Sequence, residues 1–205
     1  MRKRNIVLAP MLAVGVLVAA VAPAGAWTSS PPLPTIAQIV AKSGGTFDSN
    51  HYDYDILFTA LKGAGLVDAL NNPSTKLTVF APNDMAFIRT ARDFGYTGWD
   101  EAGAFHAIAG VLGTLDPNGK GDPIPALTNV LLYHVTSGSL GPIQVLLSGS
   151  IQTLLPGASF DVRFLRLVDD APKRPDPYLN PFALNIKASN GVIHGITRVL
   201  LPVDA

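Results

Sequence analysis

The sequence predicts an α+β domain in which helices come first and short β-strands follow. Apolar residues recur at helical spacing through most of the first two thirds of the chain. After residue 150, short β-rich runs alternate with Gly, Pro and Asn turns, which is typical of antiparallel strands. The chain has 205 residues, of which 48% are hydrophobic and 15% charged. That composition excludes a disordered chain and supports one folded domain.

The first segment has the pattern of a secretory signal peptide over residues 1–26. Three basic residues at positions 2–4 precede an apolar run, and Ala24-Gly25-Ala26 provides a small-residue cleavage site before Trp27. An uncleaved membrane anchor is the alternative, because the run approaches the ~20 residues that span a bilayer. Pro10 and the Ala-x-Ala site favour cleavage. We therefore expect a secreted protein, or a periplasmic one if the host has two membranes, without stable membrane insertion after cleavage.

Charge and cysteine content exclude several classes of function. The chain has 15 Lys+Arg and 15 Asp+Glu, and loss of the three basic residues at positions 2–4 leaves 12 against 15. Such a mildly acidic protein has no general basic field, so nucleic acid is not an expected partner. The chain has no cysteine, which excludes disulfides, thiol catalysis, zinc–cysteine sites and lipid attachment to a cysteine.

The exported part is predicted to start with a short linker and two helices. Prolines in residues 27–34 favour an extended linker, and the domain is predicted over residues 35–205. Thr35 is a plausible N-cap for a helix that carries Ile36, Ile39 and Val40 on one face. A second helix is predicted by the spacing of Leu57, Ala60, Leu61 and Ala64.

A strand and three helices are predicted next. Residues 77–80 are β-rich, and the following Pro-Asn-Asp starts a helix that carries residues 85–88. Residues 100–115 form another predicted helix, and a loop rich in Gly, Pro and Asp follows over residues 116–123. Residues 126–132 return to helix, and residues 133–135 lead into a strand.

The last part of the chain is predicted to be mostly β. Asn190-Gly191 is a strong hairpin signal, because both residues tolerate the positive φ of a type I′ turn. Residues 169–181 are predicted to form a loop. The predicted strands cover residues 151–155, 158–165, 182–187, 192–196 and 198–201.

Three segments in order resemble the fasciclin-like (FAS1) domain family. They are LTVFAPNDMAF at residues 77–87, LLYHV at residues 131–135 and SNGVIHGITRVLLP at residues 189–202. The resemblance covers roughly residues 33–202. It implies a wedge-shaped β-sandwich flanked by N-terminal and central helices, in a family of mostly extracellular adhesion modules that are not enzymes as a rule. Gly195 and Thr197 depart from the family pattern, which often has a β-branched and an acidic or amide residue there.

Structural roles are predicted for eight residues in the first and last of these segments. The first segment is a strand-to-helix junction, where Asn83 or Asp84 can accept a backbone N–H. The eight residues are Thr78, Phe80, Pro82, Asn83, Phe87, Asn190, Gly191 and His194.

Two further segments supply candidate partner-binding residues. In adhesive relatives the Tyr-His segment is implicated in receptor binding, and its counterparts here are Leu131, Leu132, Tyr133, His134 and Val135. For His134 itself a structural role in the core is preferred over direct partner contact, since Tyr133 and His134 would point to opposite faces of a strand and one would be buried. The second segment is the proline-rich loop at residues 172–181, where Lys173, Arg174 and Tyr178 offer cationic and aromatic contacts. A stiff surface connector is the alternative for this loop.

No catalytic residue, cofactor or metal site is predicted. Ser137-Gly138-Ser139-Leu140-Gly141 lacks the first glycine of a nucleophile elbow. Residues 116–122 share the spacing of a calcium loop, but Lys120 occupies a ligand position, so a plain turn is preferred. Alternating His51, Asp53 and Asp55 would face one side of an extended segment and suit zinc or copper, although a helix N-cap explains them more simply.

The sequence therefore predicts a secreted, non-catalytic module for cell adhesion or extracellular interaction. Its partner is expected to be a cell-surface protein, a matrix component or a glycan. The alternative is a carrier of an apolar small ligand such as a carotenoid, because some algal members of the family bind carotenoids and the low charge suits an apolar groove. The oligomeric state is left open.

Overall fold

A computed structural model describes residues 31–43, 45–116 and 118–203. The predicted signal peptide and the first part of the predicted linker lie outside these residues. A single compact unit begins at Pro32, and the backbone of Pro34 is already tied to it, because Ser189 N donates to Pro34 O at 2.9 Å.

Seven α-helices lie in the described part of the chain, mostly before the second strand. Except for α3, each starts where the sequence supplies a capping group or a proline near its first turn, or where another segment supplies the cap. They are α1 (Ile36–Ser43), α2 (Asp55–Gly63), α3 (Val67–Asn71), α4 (Asp84–Asp93), α5 (Glu101–Thr114), α6 (Ile124–Tyr133) and α7 (Pro142–Leu147).

The strands form two sheets. The first sheet has the order β2-β1-β7-β6 and consists of β1 (Leu77–Pro82), β2 (Val135–Ser137), β6 (Ile186–Ala188) and β7 (Gly191–Ile196). Its central pair, β1 and β7, is parallel, and both edge strands are antiparallel to their neighbours. The second sheet is an antiparallel meander of β3 (Ser150–Gln152), β4 (Ser159–Arg163) and β5 (Arg166–Val168).

Strand β1 divides the hydrophobic core in two. Val79 belongs to a cluster that also includes buried residues of α1, α2, α4, α5 and α6, whereas Phe80 belongs to a cluster that includes residues of the second sheet. This division follows from the pleat, which points successive side chains to opposite faces. The Phe80 ring meets Phe160 edge to face at 5.1 Å between ring centroids, an arrangement that aromatic pairs prefer. The fold is therefore α+β, as predicted.

The predicted helices are confirmed, as are the N-caps expected at Thr35 and Asn83, whereas the N-cap expected at Asp53 or Asp55 is wrong because Asp84 caps α2 instead. The start of α5 has a side-chain cap as well. Gln38 N donates to Thr35 Oγ1 at 3.2 Å, Ala86 N donates to Asn83 Oδ1 at 3.0 Å, and Gly103 N donates to Asp100 Oδ1 at 2.7 Å. These side chains satisfy backbone donors that the first helical turn leaves without partners. Local sequence thus decided where α1, α4 and α5 begin.

The C-terminal predictions need several corrections. The predicted strand at residues 182–187 begins as a 3₁₀ turn, Pro181–Ala183, because Pro181 and a cap by Asn180 favour a turn, and β6 starts only at Ile186. Residues 198–201 are not a strand. Residues 142–147 form α7 and residues 166–168 form β5, and both elements were missed by the prediction.

The hairpin between β6 and β7 is confirmed, but its turn is not type I′. Ala188 pairs with Gly191, so Ser189 and Asn190 form the loop, and Asn190 does not adopt a positive φ. Gly191 does, with a φ of 154°, and a Cβ there would collide with the backbone oxygen of Leu77. Glycine is therefore required by the close approach of β1 to β7.

Candidate functional site

The Tyr-His segment lies at a helix end rather than in a strand. Tyr133 is the last residue of α6 and His134 is its C-cap, so the prediction that they point to opposite faces of a strand is wrong. Both side chains are buried, and Tyr133 Oη donates to Ser159 O at 2.9 Å. The helical turn lets both rings enter the interior. Leu131 and Val135 are also buried, and Leu132 is half-buried.

His134 joins α6 to the C-terminal segment through both ring nitrogens. Nδ1 lies 2.7 Å from Val130 O, and Leu200 N donates to Nε2 at 2.9 Å. This pairing requires a neutral ring with its proton on Nδ1. Burial lowers the pKa of His134 to about 4, which keeps the ring neutral near pH 7. The contacts favour a structural role for His134, since a direct partner contact would require the segment to leave the core.

His194 and Asn190 hold backbone groups in the same way. His194 Nε2 lies 2.9 Å from Leu140 O, and Asn185 N donates to Nδ1 at 3.2 Å. Burial lowers the pKa of His194 as well. Asn190 accepts from Ile36 N at 2.9 Å and donates to Leu70 O at 2.8 Å and to Asn72 O at 3.0 Å. These two side chains therefore link β7 and its turn to distant segments.

The remaining residues of the first FAS1-like segment also have internal contacts. Thr78 Oγ1 donates to Gly138 O and accepts from Leu140 N, both at 2.8 Å. Pro82 ends β1, Asn83 caps α4 and Phe87 is buried on that helix. None of these side chains is exposed.

The proline-rich loop at residues 172–181 is fastened to the domain at several points. The Arg174 guanidinium lies 4.5 Å from the Phe94 ring centroid and donates to Asp93 O, and buried Asp176 pairs with Arg166. Lys173 is exposed, and Tyr178 is 47% exposed. Thr197 supports this loop, because Tyr178 N donates to Thr197 Oγ1 at 2.9 Å. The departure from the family pattern at Thr197 thus has a local function.

Two aromatic side chains that were not predicted as contact residues are among the most exposed apolar side chains. Phe182 is 99% exposed in the 3₁₀ turn, and Phe164 is 78% exposed in the turn between β4 and β5. Their segments are hydrogen-bonded to each other, since Leu179 N donates to Leu165 O at 2.8 Å. We call Phe164, Tyr178 and Phe182 the aromatic edge. The signal in the sequence was Asn180-Pro181, which stands directly before the predicted strand at residues 182–187 and favours a turn at Phe182.

Of the two segments considered for metal binding, the one at residues 116–122 has the expected conformation and the one at residues 51–55 does not. Asp116 organises its loop as a plain turn, because its carboxylate accepts from the backbone of Asn118 and Lys120 at 2.9 and 2.8 Å. These hydrogen bonds lower the pKa of Asp116, and the one from Asn118 has the largest effect. His51, Asp53 and Asp55 do not alternate along an extended segment, because residues 51–53 form a turn and Asp55 begins α2. His51 Nδ1 instead lies 3.1 Å from Glu101 Oε1.

An apolar cavity of about 220 Å³ lies among the helices. Ten residues from α2, α4, α5, α6 and the proline before α6 line it, and none carries a polar side chain. They are Ala60, Gly63, Phe87, Phe105, Ile108, Ala109, Leu112, Pro123, Ile124 and Leu127. Such a cavity suits a small apolar ligand rather than a charged one.

Comparison with known proteins identifies the family. The structure is similar to that of a pair of FAS1 domains from the insect cell adhesion molecule Fasciclin I, with a TM-score of 0.56 and 15% identity. The match covers 83% of this chain and 51% of that one, so the chain spans about half the length of this relative, and at this identity the likeness concerns the fold alone. A model of the fasciclin domain matches residues 52–202, well over half of the sequence. The chain therefore belongs to the fasciclin domain family.

Proposed function

We propose that this protein is an exported, non-catalytic adhesion module that binds an extracellular protein through its aromatic edge. Fasciclin domains are adhesion-related and generally non-catalytic. The observation that carries the proposal is the exposure of two phenylalanine rings, 78% and 99%, on hydrogen-bonded neighbouring segments. Aromatic side chains are enriched in interfaces and dominate their binding energy when a partner covers them.

The backbone that carries these rings is held in place before any partner binds. Asn180 N donates to Gly195 O at 2.8 Å, and Phe182 N donates to Asn180 Oδ1 at 3.1 Å. Phe164 has a φ of 58°, which fixes the ring at the outer end of the β4–β5 turn. A pre-organised surface loses little conformational entropy on binding, so more of the contact energy remains as affinity.

A protein partner fits this surface better than a glycan. Exposed Arg163 directly precedes Phe164 in the chain and is paired with Asp161 at 3.6 Å. Arginine with tyrosine and other aromatic residues is the typical composition of the centre of a protein–protein interface. Matrix components and glycans are the other partners that a test must compare.

Binding by the immobilised protein tests this function. Envelope proteins, matrix proteins and glycans from the source cells are presented separately, and we expect retention of a protein fraction. The double variant Phe164→Ser/Phe182→Ser should reduce that retention at least tenfold. Tyr52→Ser is the matched control, because Tyr52 is 77% exposed in a different turn. Unchanged retention by the double variant, or retention of glycans alone, contradicts the proposed surface.

Export is the second component of the proposed function. The predicted signal peptide supports it, and fasciclin domains are often extracellular. Within residues 31–43, 45–116 and 118–203, no helix has the length and apolar character needed to cross a bilayer. Mass spectrometry of culture supernatant and membranes should find a mature chain that starts at Trp27. A chain that starts near Met1 in the membrane fraction contradicts export.

A carrier of an apolar small ligand is the second candidate, and the apolar cavity favours it. Protein purified from its own source would then contain an extractable apolar compound, with visible absorbance if the compound is a carotenoid. Ala109→Trp would fill the cavity and remove that compound, while Tyr52→Ser would retain it. A colourless protein without extractable lipid contradicts this candidate.

A further inference from the structure

Four buried carboxyl side chains meet where three segments of the chain come together. Asp53 and Asp55 come from the turn before α2 and from its first residue, Asp84 begins α4, and Glu101 begins α5. Their exposed fractions are 7%, 1%, 0% and 1% in that order. One oxygen each from Asp53, Asp84 and Glu101 lies within 4.8 Å of the others, and Asp48, Asp55 and Glu101 form a second such group. Charged residues are almost never buried to this degree without a partner of opposite charge.

The groups that face this acidic cluster supply little positive charge. His51 Nδ1 is 3.1 Å from Glu101 Oε1, and Lys62 acts on Asp55 from a distance. The other donors are neutral. Asp55 N and Ile56 N donate to the two oxygens of Asp84 at 3.1 and 2.8 Å, and Asp48 N donates to Glu101 Oε2 at 2.8 Å. These bonds orient the carboxylates but do not cancel their charge.

Two oxygens of the cluster have no partner among the described residues. Asp53 Oδ1 and Asp55 Oδ2 are buried and accept no hydrogen bond, although Asp53 Oδ2 accepts from Asn50 Nδ2 at 2.9 Å. A third such atom, Asn185 Oδ1, belongs to the segment before β6. Leaving a buried acceptor without a donor is costly, and more so when it is charged. Asp53 also faces Asp84 closely enough for their carboxyl groups to share a hydrogen bond. These two oxygens without a donor therefore indicate a binding position for a positively charged group.

We propose that Asp53, Asp84 and Glu101 bind a calcium ion, with Asp55 and Asp48 next to it. All five are oxygen donors, which hard divalent cations prefer over nitrogen or sulfur. Three oxygens that all lie within 4.8 Å of one another can bind one ion together. Ca²⁺ accepts oxygen ligands in flexible geometry, whereas Mg²⁺ demands a near-ideal octahedron and keeps several of its waters, so an irregular set of side-chain oxygens suits Ca²⁺ better. Each carboxylate oxygen has two lone pairs, so the oxygens of Asp84 and Glu101 keep one pair for the ion.

The bound ion neutralises the cluster and joins the turn before α2 to the first turns of α4 and α5. His51 stays beside the site and orients Glu101. Extracellular calcium modules have dissociation constants of about 10⁻⁴–10⁻³ M, and we expect the same range here because the ligands belong to structured elements but come from separate segments. This inference does not depend on which partner the aromatic edge binds.

Calcium titration of the purified protein tests the site. After treatment with a chelator and its removal, calorimetric titration with CaCl₂ should show one site, and 2 mM calcium should raise the melting temperature by about 4 °C. MgCl₂ at the same concentration should give a clearly smaller rise. A wild-type protein that shows neither heat nor a shift in melting temperature with calcium overturns the proposal, and a shared proton then explains the cluster.

Two variants locate the site. Asp53→Asn and Glu101→Gln should each reduce the calcium-induced shift in melting temperature at least threefold. Asp68→Asn is the matched control, because Asp68 is an exposed aspartate on α3, and it should respond as the wild type does. Asp116→Asn separates this cluster from the loop with calcium-like spacing. A shift that persists in both cluster variants, or disappears in Asp116→Asn, overturns the assignment to this cluster.

Discussion

Two helices of this domain have their N-termini capped by a side chain from a distant segment, and one cap is an amide whereas the other is a carboxyl group. Asn190 accepts from Ile36 N at the start of α1, and its amide group also donates to two carbonyls. Asp84 accepts from Asp55 N and Ile56 N at the start of α2, but three more buried carboxyl groups surround it. Both side chains cap a helix. The oxygen and the amide nitrogen of Asn190 have hydrogen-bond partners, whereas two carboxyl oxygens near Asp84 have none among the described residues.

The difference shows how a structural polar site is distinguished from a candidate binding site. At Asn190 the side chain finds a partner for its oxygen and for its amide nitrogen, so nothing remains to attract a ligand. At Asp84 the backbone donors are supplied, yet the surrounding charge is not neutralised. Burial, and next the hydrogen bond to Asp53, raise the pKa of Asp84, which is the expected response of a carboxyl group without a cation.

The largest expected effect is the loss of stability when the Asn190 cap of α1 is removed. Asn190→Ala leaves Ile36 N, Leu70 O and Asn72 O without their partner, and we expect the free energy of unfolding to fall by about 3–5 kcal/mol. Urea unfolding followed by circular dichroism measures this change. Asn129→Ala, at an exposed asparagine of α6, should change it by less than about 0.5 kcal/mol. A loss below about 1 kcal/mol for Asn190→Ala contradicts a structural role for this cap.

The second prediction concerns pH and the neutral buried His134. The unfolded imidazole has its ordinary pKa near 6.5 and the folded one about 4, so only the unfolded state binds the proton between these values. Stability from this residue is therefore present near pH 7 and falls by about 3 kcal/mol as the pH drops to 4. Burial raises the pKa of Asp169 to about 6, which acts in the opposite direction.

The contribution of His134 is obtained as a difference between two proteins. The wild type and His134→Gln are unfolded in urea between pH 7 and pH 4, and the wild type should lose more stability than the variant over this range. Asp169 is common to both proteins, so its effect cancels. Parallel pH profiles of the two proteins contradict a neutral buried imidazole at this position.

The third prediction concerns a variant in which one carboxyl group of the acidic cluster is replaced by a neutral amide. Asp53→Asn removes one buried charge and replaces an unpartnered acceptor by an amide donor that faces Asp84. In chelator, we expect the variant to be more stable than the wild type by about 1–2 kcal/mol, because fewer like charges remain buried together. Urea unfolding in EDTA measures it, with Asp68→Asn as the control. A less stable variant under these conditions shows that the charge of Asp53 is already neutralised within the protein.

The smallest expected effect on stability is that of a fully exposed ring. Phe182→Ser should change the free energy of unfolding by less than about 0.5 kcal/mol, because the side chain makes little contact in the folded domain. Thermal and urea unfolding check this. A large loss of stability instead indicates that Phe182 packs against the domain and is not a free contact residue.

The sequence predicted what depends on local chemistry. The caps expected at Thr35 and Asn83 placed α1 and α4 correctly, because a capping side chain and its backbone donor are three residues apart. The strand assignment of Tyr133 and His134 failed, since the helical pattern and the strand pattern merge where a helix continues directly into β2.

What the sequence did not predict depends on contacts between distant residues. Asp53, Asp84 and Glu101 each have an ordinary local explanation as a turn or helix-start residue, and no spacing rule connects them. The aromatic edge was missed for a similar reason. Phe164 and Phe182 fit a strand pattern, and only the packing of the second sheet and the 3₁₀ turn shows that both rings face outward.

The parallel pairing of β1 with β7 has a consequence for the timing of folding. Leu77 pairs with Gly191, so the central strand of the first sheet stays without one neighbour until nearly the whole domain has left the ribosome. Contacts at such separation form late, because a long loop must close first. The first sheet can therefore be completed only after β7 has been synthesised, so we expect the nascent chain to lack this sheet until the end of synthesis.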